Sequence, residues 1–410
     1  MKLCVKDGFI VDPASNFEGT GTIWAERGVI VCVETEGGSG CGAPPPWAGG
    51  GGYKTVDAKG KWIFPGLIDL HVHLREPGFE YKEDIASGCA AAKNGGFTKI
   101  CCMPNTKPAT DCPEAVAYIK SKAAEAPGAS VLVIGAVTKG QAGVELADIK
   151  GMAAAGICAV SEDGKSVMNA GLMRDAMIEA GMLGIPYFSH AEDENLAGLP
   201  IGEELIVARD ILLARGTGCR LHLCHISTGG SVEIIRKAKA EGADITAETA
   251  PHYFTLDESC IAGNTNRKIN PPLRKQRDVS AIRNALADGT IDAIATDHAP
   301  HAAYEKETEF KDAPNGAIGL ETSFAVSYTM LVKTGILRPV ELIRKMSYRP
   351  AEILGIPPPS ISVGEPADIV IADVDKKYTI RGEDFLSKSV NSPFLGMDVF
   401  GRPVPLSELH

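Results

Sequence analysis

The strongest constraint on the fold of this chain is an alternation repeated eight times between residues 62 and 296. Short apolar runs lie at 67–73, 98–103, 130–137, 157–160, 185–190, 220–226, 244–249 and 291–296, and each is followed by a helix or by a loop leading to one. Apolar residues recur at helical spacing in 84–93, 113–124, 172–182, 203–214, 231–240 and 279–287. Several of these segments stop at a glycine, as at Gly95, Gly184 and Gly242, where a helix is expected to end. Alternating β and α units predict a parallel sheet sheathed by helices. Eight of them predict an α/β fold of the (β/α)8 TIM-barrel type.

The two ends of the chain read differently. Short strands at 2–5, 8–11, 21–25 and 29–33 are punctuated by Asp-Gly and Arg-Gly turns. After two more helices, at 320–334 and 339–354, strand texture returns at 366–372. Neither end has enough strands for a core, so the N- and C-terminal segments are expected to combine into one small β-sandwich domain. The expected division is 1–63 and 356–410 for the two parts of that domain and 64–355 for the barrel. The glycine- and proline-rich stretch at 37–52 is expected to be a solvent loop.

Composition narrows the partners. The formal net charge is -11 and no lysine/arginine block occurs, which argues against nucleic acid and anionic membranes. An anionic ligand must then be held by a few local cations or by metal. No apolar run is long enough to span a bilayer, and the first residues do not form a signal peptide. The 11 cysteines are odd in number, scattered and without a C-x-x-C pair. That pattern suits reduced thiols and a cytoplasmic protein.

The chain has nine histidines. Seven of them, His71, His73, His190, His225, His252, His298 and His301, fall at or just after the end of a predicted strand. In a (β/α)8 barrel those ends form the catalytic face. One such histidine is more often a satisfied polar residue than a ligand, and an isolated H-x-H pair occurs by chance. Seven at strand ends are hard to explain by packing. His71 and His73 point to one face of their strand. Joined by His190, His225 and Asp297, they supply the nitrogen and oxygen donors that zinc prefers. An anionic bridge between two metals could come from Asp163, or from Lys165 after carbamylation; the bland reading of 161–165 is an acidic turn.

With these residues assembled, the chain resembles the amidohydrolase superfamily and, more closely, the bacterial class I dihydroorotases. The resemblance runs over nearly the whole chain, from about residue 1 to 403, in the motifs PGLIDLHVHLREPG (65–78), MPNTKP (103–108), SEDG (161–164), SHAED (189–193), CHIST (224–228), NPPLR (270–274), ATDHAPH (295–301) and NGAIGLET (315–322). It implies one zinc on His71, His73 and Asp297 and another on His190 and His225, bridged by Asp163 and a hydroxide. The SEDG match favours Asp163 over Lys165. The resemblance also implies that Arg75, Asn105 and His301 hold a substrate carboxylate, with His73 alongside. Asn270 and the Asn315–Gly316 backbone would hold the amide edge of the ring; Asn105 and Asn270 also read as ordinary turn residues.

The implied reaction is reversible hydrolysis of (S)-dihydroorotate to N-carbamoyl-L-aspartate, with Asp297 carrying the proton. A homodimer and an association with aspartate carbamoyltransferase are implied as well. The rivals are a hydantoinase, dihydropyrimidinase or allantoinase type of cyclic amidase, and a non-catalytic homologue serving as scaffold for that transferase. Three features depart from the family pattern, the first being the glycine- and proline-rich insertion at 37–52. The connection between His190 and Glu203 is short, and the chain stops at 403–410 where relatives add another strand, which leaves the small domain's completeness open.

Overall fold

The structure, a computed structural model, describes residues 2–35, 44–49 and 52–404. Eight parallel strands follow one another in hydrogen-bonded order. They are β6 (Leu67–Val72), β7 (Phe97–Cys102), β8 (Ser130–Ala136), β9 (Ala159–Ser161), β10 (Tyr187–Ser189), β11 (Leu221–Leu223), β12 (Ile245–Thr249) and β13 (Ala293–Ile294). The ring closes between its first and last members. Val72 bridges His298, and His73 N donates to His298 O at 2.9 Å. The buried Asp69 carboxylate accepts from Thr296 N and from His71 N, both at 3.1 Å. All eight expected strands are present. Several are shorter than the apolar runs, because the backbone turns out of the ladder where the histidines and Asp297 begin.

Burial on both faces explains why these strands read as continuous apolar runs. One apolar cluster joins strand residues such as Val72, Cys102 and Leu223 to the surrounding helices. A second takes Ile68, Cys101, Ile134, Phe188 and Ala293 from around the ring and joins them to Ile353 and Leu354. The latter two belong to α12 (Arg349–Leu354). Ser347 Oγ donates to Gly66 O, and Lys345 Nζ to Ile291 O. Both carbonyls precede barrel strands, so this segment closes the N-terminal end and the site must lie at the other.

The helices follow the predicted spacing. α1 (Ile85–Asn94) starts at a capping box in which Asp84 accepts from Ser87 N. α4 (Ala170–Met182) and α6 (Gly229–Ala240) are followed by Gly184 and Gly242 at φ 70° and 82°, which glycine adopts without a Cβ penalty. The helices expected at 320–334 and 339–354 each contain a π-helical turn, at Tyr328–Val332 and Arg344–Tyr348.

Outside the barrel, the ends of the chain share one mixed seven-stranded sheet. Its members are β1 (Lys2–Asp12), β2 (Phe17–Glu26), β3 (Val29–Thr35), β4 (Lys54–Asp57), β5 (Trp62–Pro65), β14 (Ile369–Thr379) and β15 (Asp398–Pro403). The expected small β domain is therefore hydrogen-bonded as a single sheet. The two strands predicted at 2–5 and 8–11 are one strand with a bulge between Val5 and Gly8. Ile10, Ile23, Ile63 and Ile371 are buried in its core, so both ends of the chain contribute. Most of the 37–52 stretch lies outside the described residues, as do 405–410; within the former, Trp47 packs at 5.5 Å against both Trp24 and Tyr53.

Candidate metal centre

β6 sends His71 and His73 into the open end of the barrel. Asp163 follows β9, His190 follows β10, His225 follows β11 and Asp297 follows β13. All six are buried. His71 Nε2 lies 3.2 Å from Asp163 Oδ1, and His73 Nε2 lies 3.4 Å from Asp163 Oδ2. On the other side, His190 Nδ1 is 3.1 Å and His225 Nε2 3.4 Å from Asp163 Oδ1. Two compact donor triads result, His71–His73–Asp163 and Asp163–His190–His225. They share Asp163. Asp297 Oδ1 completes the first side, 3.2 Å from His73 Nε2 and 3.5 Å from His71 Nε2.

The donors suit a metal better than they suit each other. His71 Nε2 is buried with no hydrogen-bond partner, and an orphaned buried polar atom is costly. His225 Nε2 and His190 Nδ1 face each other at 2.9 Å. Burial opposes charge on His71, yet Asp163 and Glu248 overcome it and raise its pKa well above the usual imidazole value. Against the same burial, Asp163 and Glu192 push His190 up to about 9. The carboxylates thus call for positive charge, which a metal supplies while the imidazoles stay neutral ligands.

Backbone geometry aims two of these groups. His225 and Asp297 have φ of 37° and 48°, and Arg75, beyond His73, has 64°. Non-glycine residues rarely adopt this left-handed region, and the cost of about 1–3 kcal/mol each is borne where the surroundings fix the conformation. Lys165, by contrast, is exposed, and its Nζ donates to Gln141 O.

Two residues that the sequence did not single out support His71 from behind. Glu248 Oε1 is 3.1 Å from His71 Nδ1, and Glu248 Oε2 is 3.1 Å from His222 Nε2. Both residues are fully buried. A carboxylate and an imidazole inside otherwise apolar strands must find partners, and that was the available signal. An acceptor at Nδ1 fixes the tautomer that leaves Nε2 free to bind metal. Of the original seven histidines, His252 and His298 stand outside the two triads. His298 Nε2 pairs with Glu83 at 3.4 Å while its Nδ1 accepts from Gly319 N; His252 packs on Tyr253 at 4.2 Å and keeps its buried Nε2 without a hydrogen-bond partner.

Residues 60–199 match a family model described as Dihydro-orotase-like. The dihydroorotase of Pelotomaculum thermopropionicum is 46% identical over 422 residues, covering 98% of this chain and 96% of that protein. The chain belongs to the dihydroorotase family. The dihydroorotase of Trichlorobacter lovleyi is 45% identical over the same shares of the two chains, 98% and 96%. Among solved structures, the L-hydantoinase (dihydropyrimidinase) of Arthrobacter aurescens matches with a TM-score of 0.86 at 27% identity, covering 98% of this chain and 93% of that one. A D-hydantoinase structure matches at the same TM-score, 0.86, with 24% identity over 98% of this chain and 93% of its own, and shows the shared fold. The barrel is therefore common to several cyclic amidases, and it is the sequence relatives that place this chain among the dihydroorotases.

Around the centre stand the residues that this family resemblance assigns to substrate. Asn105 Oδ1 is 2.8 Å from His73 Nδ1, which leaves the amide nitrogen of Asn105 as its donor side. Arg75 Nε donates to Pro300 O at 3.1 Å. Asn270 Nδ2 donates to Glu192 Oε2 at 2.8 Å, beside His190. Gly316 has φ 134°, and a Cβ there would sit 2.9 Å from Ala299 O and 3.0 Å from His301 Nε2. His301 is engaged at both ring nitrogens: Nε2 donates to Asn315 O at 2.8 Å, and Nδ1 faces Lys82 Nζ at 3.2 Å. Burial, Arg75 and Lys82 together press its pKa down to about 3. The short connection after His190 borders a cavity of about 350 Å3 lined by Gln141, Lys165, Ser166, His190 and Glu192.

Proposed function

We propose that this chain is a zinc-dependent dihydroorotase that interconverts (S)-dihydroorotate plus water with N-carbamoyl-L-aspartate, a step of de novo pyrimidine (UMP) synthesis. The observation that carries the reading is the pair of donor triads sharing Asp163 at the open barrel end, in a chain 46% identical to a dihydroorotase. His71, His73 and Asp297 would hold one zinc and His190 and His225 a second, with Asp163 between them. Bound there, the ions supply Lewis acidity that polarises the ring carbonyl and acidifies water.

The chain's own groups do the rest. Asp297 accepts the proton released as water attacks and returns it to the departing ring nitrogen. Its position beside His71 and His73 supports that role. Arg75 offers a planar fork suited to the substrate carboxylate, and the amide nitrogen of Asn105 is turned to donate to the same group. His301 borders it. Asn270 and the Asn315–Gly316 backbone hold the amide edge of the ring.

The wider reading keeps the division 1–63, 64–355 and 356–410, a cytoplasmic setting, a homodimer and an association with aspartate carbamoyltransferase. Among the described residues no helix is long and apolar enough to cross a membrane. In support of an interface, the neighbouring helices α4 and α5 (Pro200–Thr217) each expose apolar side chains, Ile178 and Met182 on the first and Ile201, Leu205 and Leu212 on the second.

A hydantoinase-type reading is favoured by the fold match at a TM-score of 0.86. A panel of dihydroorotate, hydantoin, dihydrouracil and allantoin separates the two. The expected result is turnover of dihydroorotate far above the other three; preference for an uncharged ring would overturn the proposal.

A further inference from the structure

We infer that Lys82 is a second cationic ligand of the substrate carboxylate, acting beside Arg75 and selecting for an anionic ring. This rests on the dihydroorotase reading. Lys82 lies in the connection between β6 and α1, and its backbone is pinned on both sides. Lys82 N donates to Phe79 O, and Ser389 Oγ donates to Lys82 O at 2.8 Å. The next residue, Glu83, is fully buried and accepts from the Ser87 and Ser387 hydroxyls and from Lys388 N. So anchored, the Lys82 side chain runs past the Phe79 and Tyr81 rings, each 5.6 Å from the ammonium. It ends 3.2 Å from His301 Nδ1 and 2.9 Å from Glu305 Oε1.

That placement assigns the charges around His301. Both nitrogens of His301 are bonded, and its lowered pKa keeps the ring neutral. A neutral imidazole with Nε2–H committed to Asn315 O has no proton left for a carboxylate. Arg75, Lys82 and Lys306 all act on that imidazole, but Lys306 Nζ is committed to the carbonyls of Thr265, Lys268 and Pro314, which leaves Arg75 and Lys82 as the cations on this side that can meet an anion. An ammonium has three donors, of which Lys82 uses two here. Its side chain is 12% exposed, and a charge-assisted hydrogen bond is strongest where water is thin. Glu305, on the short helix α9 (Ala303–Lys306), is the carboxylate that Lys82 holds in this structure. A substrate carboxylate seated on Arg75 would compete with it.

Lys82 could instead serve only to tether Glu305. Steady-state kinetics of Lys82→Met, Lys82→Arg and Glu305→Gln on dihydroorotate separate the two roles, with thermal midpoints measured alongside. One lost charge-assisted bond predicts that Lys82→Met raises KM about ten- to a hundredfold while kcat changes far less. Lys82→Arg recovers most of the loss, and Glu305→Gln lowers KM by removing the competitor. A Lys82→Met enzyme with wild-type KM overturns the inference. So does a Glu305→Gln enzyme whose KM rises as in Lys82→Met, since a tether predicts that. Should Lys82→Met not fold, the sign of the KM change in Glu305→Gln still decides, a fall supporting the inference and a rise overturning it. A wild-type chain that consumes no dihydroorotate overturns the dihydroorotase reading itself, a result distinct from an active wild type indifferent to residue 82.

Discussion

Asp297 shows how much one side chain is asked to do. It leaves β13 on a backbone of φ 48° and puts one carboxylate oxygen within 3.5 Å of both His71 and His73. Against burial, His73 and His71 hold its pKa down at about 2, so it is an anion available to coordinate a cation. Asp297→Asn keeps the shape and an oxygen donor but cannot carry the proton. Metal content by elemental analysis should stay near wild type while kcat falls by about 10²–10⁴; near-normal turnover would remove Asp297 from the proton path. The role proposed for Arg75 is binding instead. Arg75→Ala should raise KM for dihydroorotate at least about tenfold, and an unchanged KM would show that the carboxylate sits elsewhere.

At the scale of elements, the strand-and-helix alternation was legible because each barrel strand is buried on both faces and each helix on one. The metal-centre candidates were legible for a related reason: charged and imidazole groups at the ends of apolar runs have few structural uses. Glu248 and Lys82 were not. Glu248 lies within a strand and its meaning depends on which strand is its neighbour, while Lys82 reads as an ordinary loop cation until His301 and Glu305 are brought to it. His298 was drawn in by its position in sequence, though only the fold reveals that Glu83 occupies it.

The loop after β13 carries its own test. Gly316 occupies a left-handed φ of 134° with Ala299 O 2.9 Å from where a Cβ would stand. Gly316→Ala must therefore shift the segment that positions His301. A lower thermal midpoint and a higher KM for dihydroorotate are expected from melting curves and kinetics, and wild-type values for both would deny that close approach.

Across the whole molecule, the closed end of the barrel holds a buried lysine whose effect on stability has a definite sign. Burial lowers the pKa of Lys345 from 10.5 to about 8. Between those values the unfolded chain binds a proton that the folded chain does not, so stability rises with pH in that window. The strain is present in full below about pH 8 and is relieved by about 10.5, an effect of roughly 3 kcal/mol. In unfolding measured at several pH values, wild type should gain on Lys345→Met as pH rises from about 8 to 10.5; a constant gap would contradict the burial of that charge.

Among the described residues, the barrel flanked by the sheet of both chain ends brings six buried ligand-type side chains together around Asp163, and the proposed chemistry depends on that cluster binding zinc. That dependence is tested by stripping the protein with a chelator, returning zinc stepwise and following dihydroorotate consumption. The stripped protein should show no turnover, recovery should level off near about two zinc ions per chain, and Asp163→Asn should not recover. Full turnover after stripping, or an Asp163→Asn enzyme that recovers like wild type, would contradict it.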